Sequence, residues 1–273
     1  MGQLVGAYAT SHVLMSPQGI EERAERVFDG MKEIGRRVRA DAPDLIVYVS
    51  SDHLMNFKLE LQVPLAVGAA DTFEPFGDMG IPKRPMRGHR AFAEDLVRAA
   101  ASCGVDLAKA EVLRPDHGIT IPNTIINRDG TIPMVPVYIN AAMSPPPTPA
   151  RAWALGEAIR RTVQERRPAD ERVVIVGTGG LSHWICTPGQ GRVNEGFDRE
   201  LMHTLCAGRG HELAQWQADE IIESAGNGGL EVLCWICMAG AVPGWRGETV
   251  YYEPMPEWLT GMGGIAMHAQ AAP

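Results

Sequence analysis

Three apolar stretches of the sequence each end in a short polar segment that contains a histidine. These segments read ATSH, SSDH and GLSH, and they place His12, His53 and His183 after predicted strands. Because the carboxyl ends of parallel strands share one edge of a sheet, we expect the three imidazoles to lie close together. Neutral imidazole binds iron, zinc, copper and nickel, and it also transfers protons near neutral pH. The pattern therefore predicts a metal site, an acid–base site or both at this edge.

Two further residues extend this pattern. His117 lies in the turn-forming segment RPDHGIT, and Glu231 is the lone charge in the first two turns of a predicted apolar helix. Two histidines and one carboxylate suit non-haem Fe(II) or catalytic zinc. An ordinary hydrogen-bonded role explains each histidine taken alone, and the helix dipole explains Glu231 equally well. We expect the remaining histidines to be solvated: His89, His203, His211 and His268.

Other motifs in the sequence point away from different chemistries. GTGGLS at 177–182 has the first two glycines of a dinucleotide fingerprint, but Ser182 stands where the third belongs, so we predict no such site. Cys234 and Cys237 form a CxxC inside an apolar helix and are expected to be buried core thiols. Neither HExxH nor GxSxG occurs in the chain.

The periodicity of apolar residues predicts an α/β fold with a mostly parallel or mixed central sheet flanked by helices. Its active site is expected at the carboxyl ends of the strands. We expect one catalytic domain over 1–273, because the proline cluster 144–149 reads more simply as a loop leading into a helix than as a domain boundary. The segment 64–87 is either a cover over the site or a surface loop. Strands are predicted at 4–9, 45–50, 132–139 and 173–177, and helices at 17–39, 88–103, 149–166, 195–206, 211–224 and 229–240.

Composition limits the partners and the compartment. The 273 residues carry a formal net charge of −8, so nucleic acid is an unfavourable partner. No apolar run approaches the roughly 20 residues of a membrane span. The five cysteines are irregularly spaced, and the N-terminal segment lacks the pattern of a signal peptide. These features predict a reduced, cytoplasmic setting.

Six segments, taken together and in order, resemble the class III extradiol ring-cleavage dioxygenases. That family includes the catalytic β subunits of protocatechuate 4,5-dioxygenase, gallate dioxygenase and dihydroxyphenylpropionate dioxygenase. The resemblance implies a mononuclear Fe(II) held by His12, His53 and Glu231, with His183 as acid–base residue and His117 near the substrate. The segments are SHVLMSP (11–17), SDH (51–53), DHG (116–118), GTGGLSH (177–183), GGLEVLCW (228–235) and YYEPMPEWLTGMGG (251–264).

The resemblance also implies a reaction and its partners. Both atoms of O2 would enter a catechol- or gallate-type ring, which opens next to its hydroxylated carbons, and His183 would take a hydroxyl proton. A homo-oligomer is expected, either with a small α subunit over the site or with 64–87 in that role. Two alternatives remain at this point: a zinc-dependent hydrolase that uses the same ligands, and a non-enzymatic binding relative. The cations available for a ring substituent are Lys58, Arg84, Arg87 and Arg114.

Overall fold

The four apolar runs of the sequence form the centre of one sheet. A computed structural model of the chain describes residues 1–269. In it eight strands are ordered β6-β3-β7-β2-β8-β1-β10-β9, with β4 and β5 paired separately. The strands are β1 (Gln3–Thr10), β2 (Leu45–Ser50), β3 (Leu65–Gly68), β4 (Thr72–Phe73), β5 (Met86–Arg87), β6 (Ala108–Ala110), β7 (Met134–Ile139), β8 (Arg172–Thr178), β9 (Arg246–Met255) and β10 (Thr260–His268).

The sheet is mixed and mostly parallel, which confirms the predicted fold class. Strands β7, β2, β8 and β1 run parallel to one another, whereas β10 pairs antiparallel with β1 and β9 with β10. Strand β2 is buried on both faces: Leu45, Val47 and Val49 point to one core, and Ile46 and Tyr48 to the other. This two-sided burial is why the run LIVYVS is continuously apolar rather than alternating.

Helices cover both faces of the sheet. Helices α1 and α3 pack on one face, and α2, α4 and α8 pack on the other. In α4, the side chain of Thr148 caps the first turn and Pro149 occupies it, so the proline cluster leads into a helix as expected. The helices are α1 (Glu21–Ala40), α2 (Arg90–Ser102), α3 (His117–Ile126), α4 (Pro149–Arg161), α5 (Glu195–Cys206), α6 (Gly210–Leu213), α7 (Ala218–Ala225) and α8 (Val232–Ala241).

Several predicted elements differ in the structure. The predicted helix 211–224 is two helices, α6 and α7, because the chain turns at 214–217 and the second helix starts anew, where the Glu220 side chain accepts a hydrogen bond from the backbone N–H of Gln217. The segment 64–87 is not a plain loop, since it contributes β3 to the central sheet and forms the β4–β5 pair. His89 is not simply solvated either, because its Nδ1 accepts a hydrogen bond from the backbone of Phe92 at the start of α2.

The thiols and the lengths of the helices agree with the sequence analysis. All five cysteines are free, and Cys234 and Cys237 are buried in α8 as predicted. Among residues 1–269, no helix is long and apolar enough to cross a membrane.

Candidate metal centre and acid–base site

The carboxyl ends of β1, β2 and β8 lie side by side, and each is followed by a histidine. Thr10 is in register with Thr178 across β1 and β8. The chain leaves these strands through short polar turns that carry His12, His53 and His183. The ring centroids of His12 and His53 lie 5.0 Å apart. The strand-end pattern therefore does bring imidazoles together at one edge of the sheet, as the parallel pairing required.

Glu231 brings a buried carboxylate to the same place. It lies in a 3₁₀ turn, Gly228–Glu231, that runs directly into α8. Its Oε1 is 2.8 Å from Nε2 of His53, and its Oε2 is 3.7 Å from Nε2 of His12 and 4.0 Å from Nε2 of His183. Burial alone would raise the pKa of this carboxyl, but the surrounding imidazoles hold the pKa well below its usual value. Glu231 is therefore an anion facing three nitrogen donors.

The glycines of GTGGLS lie against the carboxylate of Glu231, and one of them donates a hydrogen bond to it. The backbone N–H of Gly180 donates a 2.8 Å hydrogen bond to Oε2 of Glu231. Gly179 has φ +120°, and a Cβ there would lie 2.8 Å from Cβ and 3.0 Å from Oε2 of Glu231. Only glycine permits both this backbone conformation and this close approach. The stretch that looks like half of a nucleotide fingerprint is thus a carboxylate-binding loop.

The chemistry of these side chains fits a divalent transition metal. His12 is 1% exposed, and burial lowers its pKa to about 3, so the ring is neutral at pH 7 with a lone pair available. Within residues 1–269 its Nδ1 has no hydrogen-bond partner, and its Nε2 lies beyond hydrogen-bond distance of Glu231. Two ligand atoms about 2.1 Å from one ion lie at most about 4.2 Å apart. The separations between Glu231 and the two histidines satisfy that limit.

His53 is oriented by a second carboxylate. Asp116, fully buried, accepts hydrogen bonds from the backbone N–H of His53 at 3.1 Å and from its Nδ1 at 3.0 Å. Burial opposes a charged His53, but the hydrogen bonds to Asp116 and Glu231 raise its pKa well above the usual value. A cation between His53 and Glu231 would take the place of the shared proton. Carboxylates in the position of Asp116 fix the ring of a metal-binding histidine.

His117 lies against the same centre. Its ring centroid is 4.0 Å from that of His53, and the donor atoms of His12, His53 and His117 lie within 4.8 Å of one another. Its Nδ1 contacts Oδ2 of Asp78, which comes from the segment between β4 and β5. The structure thus offers two overlapping donor sets that share His12 and His53 and are completed by Glu231 or by His117.

The ring of His183 is oriented by a backbone carbonyl. Its Nδ1 lies 2.8 Å from the carbonyl oxygen of Leu181, which can only accept, so Nδ1 carries a proton, and in the neutral tautomer that this bond selects Nε2 has the lone pair. The preceding Ser182 donates to the carboxyl of Asp198 through its backbone N–H at 2.8 Å and its hydroxyl at 3.0 Å. Tyr252 donates to the same carboxyl at 2.9 Å. Burial raises the pKa of Asp198 to about 6.

Sequence reasoning missed three carboxylates around the site. Asp116 directly precedes His117 in RPDHGIT, so its place beside a histidine was the one available signal. Asp78 and Asp198 act on histidine-bearing turns from distant segments, and no local pattern marks them.

A cavity of about 600 Å³ opens beside His53 and Glu231. Its walls come from the loops after β2, β7 and β8, from α7 and from the segment 227–231 before α8. The cations considered for a ring substituent do not line it: Arg84 and Arg87 line a separate cavity beside α3, and Arg114 lies near Glu74. The lining residues are Ser51, Asp52, His53, Leu54, Ala141, Ala142, Met143, Ser144, Pro146, Ile185, Cys186, Ile222, Asn227, Gly228, Leu230 and Glu231.

Comparison with known proteins agrees with this arrangement of fold and site. The chain is 28% identical to a 2,3-dihydroxyphenylpropionate/2,3-dihydroxicinnamic acid 1,2-dioxygenase of Photorhabdus laumondii, over 90% of each chain. It is 28% identical to an enzyme of the same name from Rhodococcus jostii, over 90% of this chain and 93% of the relative. An uncharacterized protein of Escherichia coli K12 shares the fold, with a TM-score of 0.60 at 16% identity over 96% of this chain and 99% of the other.

A buried cluster of imidazoles and a carboxylate at the strand ends of an α/β sheet is suited to a metal-dependent enzyme. Residues 6–263 match the family model described as the catalytic LigB subunit of aromatic ring-opening dioxygenase, and the chain belongs to that family. It is an extradiol ring-cleaving dioxygenase, which confirms the class that the sequence motifs indicated and sets aside the zinc hydrolase and the non-enzymatic relative.

Proposed function

We propose that the protein is an Fe(II)-dependent extradiol dioxygenase for a catechol- or gallate-type ring, with His12, His53 and Glu231 as metal ligands. The observation that carries this proposal is the anionic Glu231, which lies 2.8 Å from Nε2 of His53 and 3.7 Å from Nε2 of the neutral ring of His12. Two nitrogens and one carboxylate are the ligands typical of non-haem Fe(II) oxygenases. When bound, Fe(II) supplies Lewis-acid polarisation of the two hydroxyl groups and the electrons for O2 activation.

Two histidines of the protein then accept and donate protons. His183 presents an unprotonated Nε2 toward the centre and accepts the proton of a ring hydroxyl, because its Nδ1 is committed to Leu181. The imidazolium formed there is stabilised by the Glu231 carboxylate 4.0 Å away. His117, oriented through Nδ1 by Asp78, positions or protonates an oxygen of the ring.

The test is anaerobic reconstitution with Fe(II), followed by a panel of catechols and gallates while O2 uptake and the absorbance of ring-opened product are recorded. We expect stoichiometric O2 uptake with at least one dihydroxylated ring. Reconstitution with zinc is the control and should give no O2 uptake. Failure of every dihydroxylated ring with the iron-loaded protein would refute the proposal.

Single alanine variants separate ligands from acid–base residues. His12→Ala, His53→Ala and Glu231→Ala should each lose iron by elemental analysis, because each removes a ligand. His183→Ala should keep iron and lose most turnover, and His117→Ala should also keep iron. If the Glu231 variant retained stoichiometric iron while the His117 variant lost it, the second donor set would be correct.

We also propose that residues 1–273 act as one catalytic domain in the cytoplasm, as a homo-oligomer, with or without a small α subunit. Support for the single domain comes from one sheet that collects strands between Gln3 and His268. The five free cysteines suit a reducing compartment. Leu59 and Leu61 are 82% and 72% exposed and offer apolar surface for assembly. Sedimentation of the purified protein tests the assembly.

A further inference from the structure

The cavity beside the candidate metal centre has a predominantly apolar wall. A ring whose hydroxyl groups face His53 and Glu231 directs its substituent into this space of about 600 Å³. The apolar part of the wall is built from side chains of five separate segments. These are Leu54, Met143, Ile185, Ile222 and Leu230.

The polar groups of the wall are already engaged with the protein. The carboxylate of Asp52 accepts hydrogen bonds from the backbone of Asn56 and Phe57, each at 3.0 Å, and from the Asn56 amide at 2.7 Å. The Asn227 side chain accepts from the backbone N–H of Ile185 at 2.9 Å and donates to its carbonyl at 3.0 Å. Asp52 therefore has no donor to offer a charged substituent, and one N–H of the Asn227 amide is already committed to Ile185.

The remaining polar lining does not change this result. The hydroxyl of Ser51 accepts from the backbone N–H of Ala141 at 3.2 Å. Ser144 and Cys186 add one hydroxyl and one thiol, neither of them a cation.

The charges around the cavity are unfavourable for an anion. Within residues 1–269, no lysine or arginine lines it, whereas the carboxylates of Asp52 and Glu231 do. An ionised carboxylate that enters an apolar space loses most of its hydration free energy, and without a cationic or hydrogen-bonding partner nothing compensates for that loss. A relative named for 2,3-dihydroxyphenylpropionate acts on a ring that bears such a carboxylate.

We propose that this enzyme is selective for diols whose ring carries an uncharged, apolar substituent, which occupies the cavity between Met143, Ile185, Ile222 and Leu230. The inference rests on the proposed function, since it takes the ring to be bound at His53 and Glu231. In this proposal the wall of the cavity determines substrate specificity, whereas the proposed metal ligands and acid–base residues do not.

A matched pair of substrates tests the proposal. 3-Propylcatechol and 3-(2,3-dihydroxyphenyl)propionate are nearly the same size and differ by a methyl group against a carboxylate at the end of the chain. With the iron-loaded full-length protein, we expect kcat/KM for the propyl compound to be at least tenfold higher. Equal or better cleavage of the propionate would overturn the inference and leave the proposed function standing. Cleavage of no diol at all would instead refute the proposed function.

Two variants check that the wall sets the preference. Ile185 is 46% exposed at the cavity, so Ile185→Arg introduces a cation with little disturbance of packing, and we expect it to reduce the preference at least tenfold by lowering KM for the propionate. Leu54→Arg, at a cavity-lining residue 43% exposed in the loop after β2, should act in the same direction if the first variant folds poorly. Val112→Arg adds the same charge at a residue 90% exposed outside the cavity and should leave the ratio unchanged. An unchanged ratio in both cavity variants would overturn the assignment of this wall.

Discussion

Gly228 leaves no room for a side chain beside the ring of His183. A Cβ at residue 228 would overlap Nε2 and Cδ2 of that ring and lie 2.8 Å from its Cε1. The backbone at 228 is outside the left-handed region, so alanine can adopt it without strain. Gly228→Ala therefore acts on His183 by steric displacement and not through the backbone.

The expected effect follows from the size of the overlap. Carbon atoms in contact lie about 3.5–4.0 Å apart, so the ring edge must move by about 1 Å or more. The backbone of His183 cannot follow freely, because its N–H donates to Ala225 at 2.7 Å and its carbonyl accepts from Gly228 at 3.2 Å. A displacement of about 1 Å of a catalytic group costs on the order of 100-fold in rate, or about 2.7 kcal/mol of barrier. Overpacking should lower stability by about 1–3 kcal/mol.

The assay measures kcat by O2 uptake, bound metal by elemental analysis and the thermal midpoint on the same preparation. We expect Gly228→Ala to keep its metal and lose about 100-fold in kcat. Gly196→Ala is the matched control, since a Cβ there meets nothing nearer than Asn194 Oδ1 at 3.4 Å. In a His183→Ala background, the Gly228→Ala change should lower kcat almost no further. A kcat within threefold of wild type, or loss of metal, would contradict the role given to His183.

Three carboxylates give further predictions. Asp116→Asn should weaken metal binding about 10–100-fold, measured by competition with a chelator, because the carboxylate that fixes His53 is lost; wild-type affinity would contradict this. Asp78→Asn should keep the metal but lower kcat about tenfold, since His117 loses the carboxylate at Nδ1; an unchanged kcat would count against that role. Asp198 has a folded-state pKa of about 6 against 3.8, so its contribution to stability is full below pH 4 and is lost as pH rises through 6. Urea unfolding of metal-free protein should show wild type losing about 2.4 kcal/mol relative to Asp198→Asn between pH 4 and pH 8; parallel curves would refute it.

The elements that could be predicted are those with a local cause. Continuous apolar runs such as 45–50 mark strands buried on both faces, and they became the four central strands. Once those strands are parallel, His12, His53 and His183 must emerge at one edge. Glu231 was a candidate as the single acid at the start of an otherwise apolar helix, but the helix dipole explained it equally well, and only the family resemblance favoured it.

The elements that could not be predicted depend on distant contacts. Strand β10 is rich in glycine and methionine, and its place follows from pairing with β1, where Ala9 faces Ile265. Asp78 and Asp198 read as ordinary surface acids in the sequence. Their roles depend on tertiary contacts, with Asp78 reaching a histidine 39 positions away. Such contacts have no periodic signal, and resemblance to a family locates motifs without locating the residues that orient them.

The charges at the centre of the molecule explain why this cluster calls for a metal ion. Three carboxylates, those of Asp78, Asp116 and Glu231, contact imidazoles within one small volume, and each has a side chain no more than 10% exposed. The desolvation free energy of three buried carboxylates is far larger than the stabilisation from the hydrogen bond that the N–H of Gly180 donates to Glu231. Protonated imidazoles compensate only in part, because burial keeps His12 neutral. In the proposed site, a divalent cation beside Glu231 would supply positive charge and would bind a lone pair of the neutral His12 ring, so an arrangement that is costly for the metal-free protein is favourable for metal binding.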